Sequence, residues 1–160
     1  MNKLTHYGPR GAVRMVDVTA KPSSERTAIA HAFVRIAPKA LAAIRRLKTP
    51  KGSPFEVARI AGIAAAKRTA DLIPLCHPLP ITHVELDARL RPRGVEIHSQ
   101  VTATARTGVE MEALVAAATA ALTVYDMTKA LDRGMEITEL YLVEKRGGRS
   151  GVYRRKGRKS

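Results

Sequence analysis

A chain of 160 residues is the size of one domain and long enough to bury a substantial core. Hydrophobic residues at 45% and charged residues at 26% exclude a disordered or fibrous protein. The net charge of +14 is uneven: residues 145–160 hold eight Lys or Arg and no acid, which leaves the rest at +6. That balance favours an anionic partner, either a phosphorylated small molecule or nucleic acid. The basic end itself reads as a frayed, solvated terminus.

The N-terminus has no apolar block of secretory length, and ALVAAATAAL is far short of the roughly 20 residues of a membrane span, so a cytoplasmic protein is expected. A single cysteine, Cys76, excludes an internal disulfide. Residues 1–27 are polar and turn-rich and read as an arm, 28–146 as an α+β core, and 147–160 as a basic tail, together one domain.

Along the core, AIAHAFVRI (28–36) alternates as a first strand, with Ile29, His31, Phe33 and Arg35 on one side. Pro38 opens a short helix on which Leu41, Ile44 and Leu47 repeat at helical spacing. KTPKGSP (48–54) is a loop that presents Lys51. From Phe55 to about Ala70 the pattern is helical again, with Val57, Ile60, Ala61 and Ala64 on one face and Lys67 and Arg68 in the last turns. DLIPLCHPL (71–79) reads as a stiff extended segment, because Pro74 and Pro78 restrict their neighbours. ITHVELDARLRP and GVEIHSQVTATAR form a hairpin, and Thr107 to Glu110 has the form of a capping box before an alanine-rich helix to about Leu131. MEITELYLVEK is the last strand. The order β-α-α-β-β-α-β predicts a ferredoxin-like sandwich, a four-stranded antiparallel sheet with helices packed on one face.

Several residues could carry chemistry. Adjacent side chains on an extended segment point apart, and Cys76 has no CxxC or HxxxH companion, so neither a zinc site nor an activated thiol is expected there. Taken alone, His77 reads as a hydrogen-bonded structural residue. Asp126 and Lys129, three apart on a helix, read either as a surface ion pair or as an acid/base pair in which lysine anchors substrate charge. Glu112 lies 14 residues before Asp126 on nearly the same helix face, but about 21 Å away along the axis. One small pocket reaches both only if a second subunit completes it. Lys51, Lys67, Arg68, Lys129 and Lys145 are scattered, unlike a nucleic-acid stripe, and suit convergence on one phosphate-rich ligand.

The runs MVDVTAK, ARIAGIAAAKRTADLIPLCHPL, TGVEMEAL and LTVYDMTKA together resemble the MoaC family of cyclic pyranopterin monophosphate synthases, lyases of molybdenum cofactor biosynthesis, from about Leu4 to Gly151. The resemblance implies ferredoxin-like subunits forming dimers that assemble into a homohexamer with active sites between subunits. It implies conversion of 3′,8-cyclo-7,8-dihydroguanosine 5′-triphosphate to cyclic pyranopterin monophosphate with release of pyrophosphate. It places acid/base catalysis at Asp126 and Lys129, with Lys51, His77 and Glu112 also in the active site and Leu75, Cys76, Met111 and Lys145 contacting substrate. No metal ligand or required cofactor is expected, although a divalent cation could accompany the triphosphate. The departures are mild: Thr128 stands where cysteine is common, Ser53 and Pro54 replace an acidic-aliphatic pair, and Arg149 replaces a lysine.

The alternative is a basic nucleic-acid-binding ferredoxin-like module. RNA-binding sheets stack bases on strand aromatics, and a chain with two Phe, four Tyr and no RNP-like motif argues against that partner.

Overall fold

The computed structural model describes residues 6–8, 11–46 and 53–156. The elements are β1 (Ser24–Arg35), α1 (Pro38–Arg46), α2 (Pro54–Ala66), α3 (Thr69–Leu72), β2 (Ile81–Arg91), β3 (Gly94–Ala105), α4 (Glu110–Thr128), β4 (Glu136–Arg146) and β5 (Tyr153–Arg154). They form an antiparallel sheet in the order β2-β3-β1-β4-β5. The first four strands have the split β-α-β order of the ferredoxin-like sandwich. The sheet has five strands rather than four, because Tyr153 and Arg154 of the tail pair with Lys145 and Glu144. The tail is therefore tied to the sheet edge by a backbone ladder that its charge composition does not announce.

Strand alternation explains the layers. Ala28, Ala30, Ala32 and Val34 of β1 and Val95, Ile97, Val101 and Ala103 of β3 point to one face and are wholly buried. Above them lies α4, whose Ala113, Ala116, Ala117, Ala120, Ala121 and Val124 are likewise buried. Small residues on both surfaces let the helix approach closely, and α2 packs beside it on α4 and β2. Gly62 makes that second approach possible, since a Cβ there would stand 2.8 Å from the Ala116 carbonyl oxygen.

Four local expectations change. In α2 the face turned to the core is Ala58, Gly62, Ala65 and Ala66, so Ile60 is 66% exposed and Ala64 is exposed with it. Small residues win the inner position because α4 lies too near for larger ones, and the bulkier stripe is left outside. The helix stops at Ala66, with Thr69–Leu72 a separate turn. The capping box does not form: the N-cap of α4 is Val109, without a side-chain cap bond, and the Glu110 carboxylate lies against Gly108. α4 ends at Thr128, three residues short of Leu131. Among the described residues no helix is long and apolar enough to cross a membrane.

Candidate active site

The DLIPLCHPL stretch is less extended than its prolines suggest. Asp71 and Leu72 finish α3, Pro74 and Leu75 turn, and the Cys76 amide donates to the Ile73 carbonyl at 3.0 Å. The turn delivers Leu75, Cys76 and His77 together to one cleft of about 310 Å³, which Met111 and Glu112 from the first turn of α4 also line. Cys76 and His77 thus share a cleft rather than facing apart, because the turn removes the strict alternation of a strand. His77 and Glu112 also border a smaller recess of about 110 Å³, with Lys67 and Arg68 on its wall.

Glu112 is 3% exposed. Burial pushes its pKa up to about 7; its own backbone N–H opposes that shift and the charge of Glu110 adds to it. A carboxyl group poised there can both give and take a proton near neutrality. Cys76 moves the same way: burial first and the charge of Glu112 second raise its thiol pKa, which disfavours the thiolate that a nucleophile needs.

Next to this cleft is a larger one of about 660 Å³, sharing Lys21, Thr107, Gly108 and Glu110 with it. Its walls carry Lys21, Arg26, Arg106, Lys145, Arg146 and Arg149 against one acid, Glu110. Lys145 stands 3.8 Å from the Glu110 carboxylate and also donates to the Ser150 hydroxyl. The turn that folds residues 145–150 over the start of β1 depends on Gly147 and Gly148, at φ +94° and +74°. A Cβ on Gly147 would lie 2.1 Å from the Glu25 carbonyl oxygen, so that turn is closed to other residues. Six cations on a concave wall give the cleft the charge to attract a polyanion, and guanidinium groups bring paired donors suited to phosphate oxygens.

Asp126 and Lys129 lie apart from both clefts. They form an ion pair of 2.6 Å near the C-terminal end of α4, with side chains 68% and 56% exposed. The hydrogen bond from Lys129 to Asp126, and then the Asp126 charge, raise the lysine pKa. Leu122, at helical spacing on the same face, is 59% exposed. The fold thus brings together Leu75, Cys76, His77, Met111 and Glu112, puts Lys145 in the adjoining cleft, and leaves the Asp126–Lys129 pair alone. Lys51 lies outside the described residues.

Sequence reasoning missed Lys21, Arg26, Arg106, Arg146 and Arg149 as site residues. A signal existed for some of them: MVDVTAK ends on Lys21, TATAR ends on Arg106, and Gly147-Gly148 breaks a basic run.

The pattern of the MoaC family matches residues 15–148. A protein of Thermomicrobium roseum named cyclic pyranopterin monophosphate synthase is 55% identical over 157 residues, 97% of this chain and 95% of its own length. Proteins of the same name from Parvibaculum lavamentivorans and Deinococcus radiodurans are each 52% identical. Those alignments cover 96% and 94% of this chain and 98% and 89% of the two relatives. The family match spans the whole of α4 and most of the lining of both clefts, and the chain belongs to the MoaC family.

Proposed function

We propose that the chain is a cyclic pyranopterin monophosphate synthase of molybdenum cofactor biosynthesis, acting in the cytoplasm. The reaction is conversion of 3′,8-cyclo-7,8-dihydroguanosine 5′-triphosphate to cyclic pyranopterin monophosphate and pyrophosphate. The observation that carries this reading is the cationic cleft of Lys21, Arg26, Arg106, Lys145, Arg146 and Arg149, joined edge to edge with a cleft holding a carboxyl group that titrates near pH 7. The first suits a triphosphate and the second suits proton transfer at a heterocycle.

In this scheme a substrate hydroxyl attacks the α-phosphorus, the new P–O bond forms as the bond to the β-phosphate oxygen breaks, and pyrophosphate leaves. The hydroxyl proton passes to a nearby base. Lys145 and the arginines neutralise charge on the departing group, while Glu112 and His77 serve the ring protonations, and Met111, Leu75 and Cys76 hold the base moiety. The scheme calls for no resident cofactor, and any divalent cation comes with the triphosphate as part of the substrate.

Asp126 and Lys129 are the principal acid/base pair of this proposal, and Lys51 assists them. They reach substrate across a subunit interface, in a hexamer built from dimers. The exposed apolar residues Leu122, Met127 and Leu131 support burial of that helix end against another copy. The test is direct: freshly prepared cyclic triphosphate is supplied to the purified protein, and pyrophosphate and pterin product are followed together. Release of both in equal amounts is the expected result, and release of neither overturns the proposal.

A further inference from the structure

The face of the sheet opposite α4 carries a second constellation, remote from the chemistry above. Among the described residues, His31, Glu96 and His98 are the group of His, Cys or acidic side chains whose ligand atoms could hold a metal, all within 4.8 Å of one another. His31 and His98 are direct cross-strand partners on β1 and β3, and Glu96 lies two residues before His98, hence on the same face. One carboxylate oxygen of Glu96, Oε1, is 3.7 Å from Nε2 of His31 and 3.7 Å from Nε2 of His98. Ligand atoms around a tetrahedral ion stand about 3.4 Å apart when each bond is about 2.0–2.1 Å, so small side-chain rotations close the site.

The neighbours of these three residues orient them as ligands. His31 is 5% exposed, and its Nδ1 is 3.2 Å from the carbonyl oxygen of Glu139. A carbonyl only accepts, so Nδ1 carries a proton and Nε2 is the atom presented to the Glu96 carboxylate, where a proton or a metal ion can sit between nitrogen and oxygen. Something positive belongs between them. The Glu139 carbonyl reaches His31 because β4 slips register opposite the stretch from His31 to Phe33, and Glu139 adopts φ 58°, a left-handed conformation unfavourable for a side chain other than glycine. Arg91 takes the other oxygen of Glu96 at 2.6 and 2.8 Å, which leaves Oε1 for the histidines. Tyr141 stacks on His31 at 4.8 Å and restrains the ring further. The open side is a groove of about 890 Å³ in which Arg35 and Arg155 are the other cations, the first paired with Glu136 and the second lying over Tyr141.

We propose that His31, Glu96 and His98 form a binding site for a zinc-like divalent transition ion, which clips β1 to β3 and leaves one coordination position open to the groove. Two imidazoles and a carboxylate suit ions of this class better than magnesium or calcium, which take oxygen ligands. The site is independent of the pterin chemistry and stabilises the sheet, since the ion binds the folded chain only.

The test uses the full, untagged protein stripped of metal and then titrated with zinc by calorimetry and by thermal unfolding. One site per chain and a zinc-dependent rise in Tm are expected. His31→Ala removes a buried ring and can unfold the chain, so the half-exposed His98→Ala and the isosteric Glu96→Gln carry the test. Each weakens zinc at least about tenfold and abolishes the Tm rise, and cobalt(II) in place of zinc loses its tetrahedral absorption in both. His77→Ala leaves zinc affinity unchanged. The inference is overturned by unaltered zinc affinity in His98→Ala and Glu96→Gln, by loss of zinc in His77→Ala, or by no uptake at about tenfold excess of zinc. The last result would mean that a proton alone bridges His31 and Glu96.

Discussion

At the start of α4, Glu112 is 3% exposed and holds its proton to about pH 7, whereas near the far end Asp126 and Lys129 stand in water as an ion pair. Both ends belong to long motifs of the family, yet only one is a finished microenvironment within a single chain. Solvent weakens the Asp126–Lys129 interaction, and an exposed pair of this kind contributes little to stability. The same pair, covered by a partner's surface, would act on a substrate with far greater electrostatic effect. The contrast separates a residue that the fold itself tunes from a pair whose tuning, on the proposed reading, needs a partner's surface.

The sharpest way to break that contrast is at the exposed end. Asp126→Asn and Lys129→Ala are each expected to reduce kcat by about 10²–10⁴-fold, the range for loss of a general acid or base, while Tm stays where it is. Pyrophosphate release and thermal unfolding of the same samples check both halves. If the site is shared, co-assembling Asp126→Asn chains with Glu112→Gln chains restores part of the activity, because some interfaces then contain one intact copy of each end. Mixed assemblies as inactive as the separate variants would place both ends in the same chain's site and sink the two-subunit arrangement.

At the buried end the expected effect is on stability and has a definite sign. The Glu112 pKa rises from an unfolded value of 4.5 to about 7 in the folded chain, so the folded state binds the proton more tightly. Its contribution is fully present below about pH 4.5 and is lost as pH rises through 7, a loss of about 3 kcal/mol by proton linkage. Glu112→Gln, a neutral mimic of the protonated acid, should therefore match the parent near pH 4.5 and exceed it by about that amount above pH 8. Urea unfolding at the two pH values measures it; equal differences at both would mean that burial does not tune this carboxyl. A smaller effect belongs to the cationic cleft, where Lys145→Ala is expected to raise KM about tenfold with kcat less changed, and the shift should shrink in high salt.

Much of this geography was legible because periodicity and turn chemistry are local. The hairpin around Pro92 to Gly94, the first strand and the long alanine-rich helix follow from spacing, and they put Met111 and Glu112 at a helix start. What could not be read was decided by neighbours distant in sequence. The stripe of half-buried Val57 and exposed Ile60 mimics a core face, and only the approach of α4 to Gly62 shows that the small residues lie inside. The fifth strand depends on β4 offering an edge to Tyr153. The His31, Glu96 and His98 cluster spans more than sixty residues of sequence and has no ligand spacing to find; register alone unites it. The family motifs named the candidate catalytic groups, but only the fold distinguishes a buried carboxyl from an exposed one.

The least visible difference between the two ends of α4 concerns how the helix begins. Thr107 and Glu110 have the sequence of a capping box, and a formed cap of that kind is worth about 1 kcal/mol. In the structure Val109 occupies the N-cap, Glu110 stands 3.8 Å from Lys145, and Thr107 lines both clefts. Thr107→Ala should then cost less than about 0.5 kcal/mol in urea unfolding, because no cap bond is lost. A cost near 1 kcal/mol would show that the cap forms in solution, drawing Glu110 back to the helix and away from Lys145. The cationic cleft would then have lost the one acid on its wall, and Lys145 would meet an incoming polyanion without a carboxylate to displace.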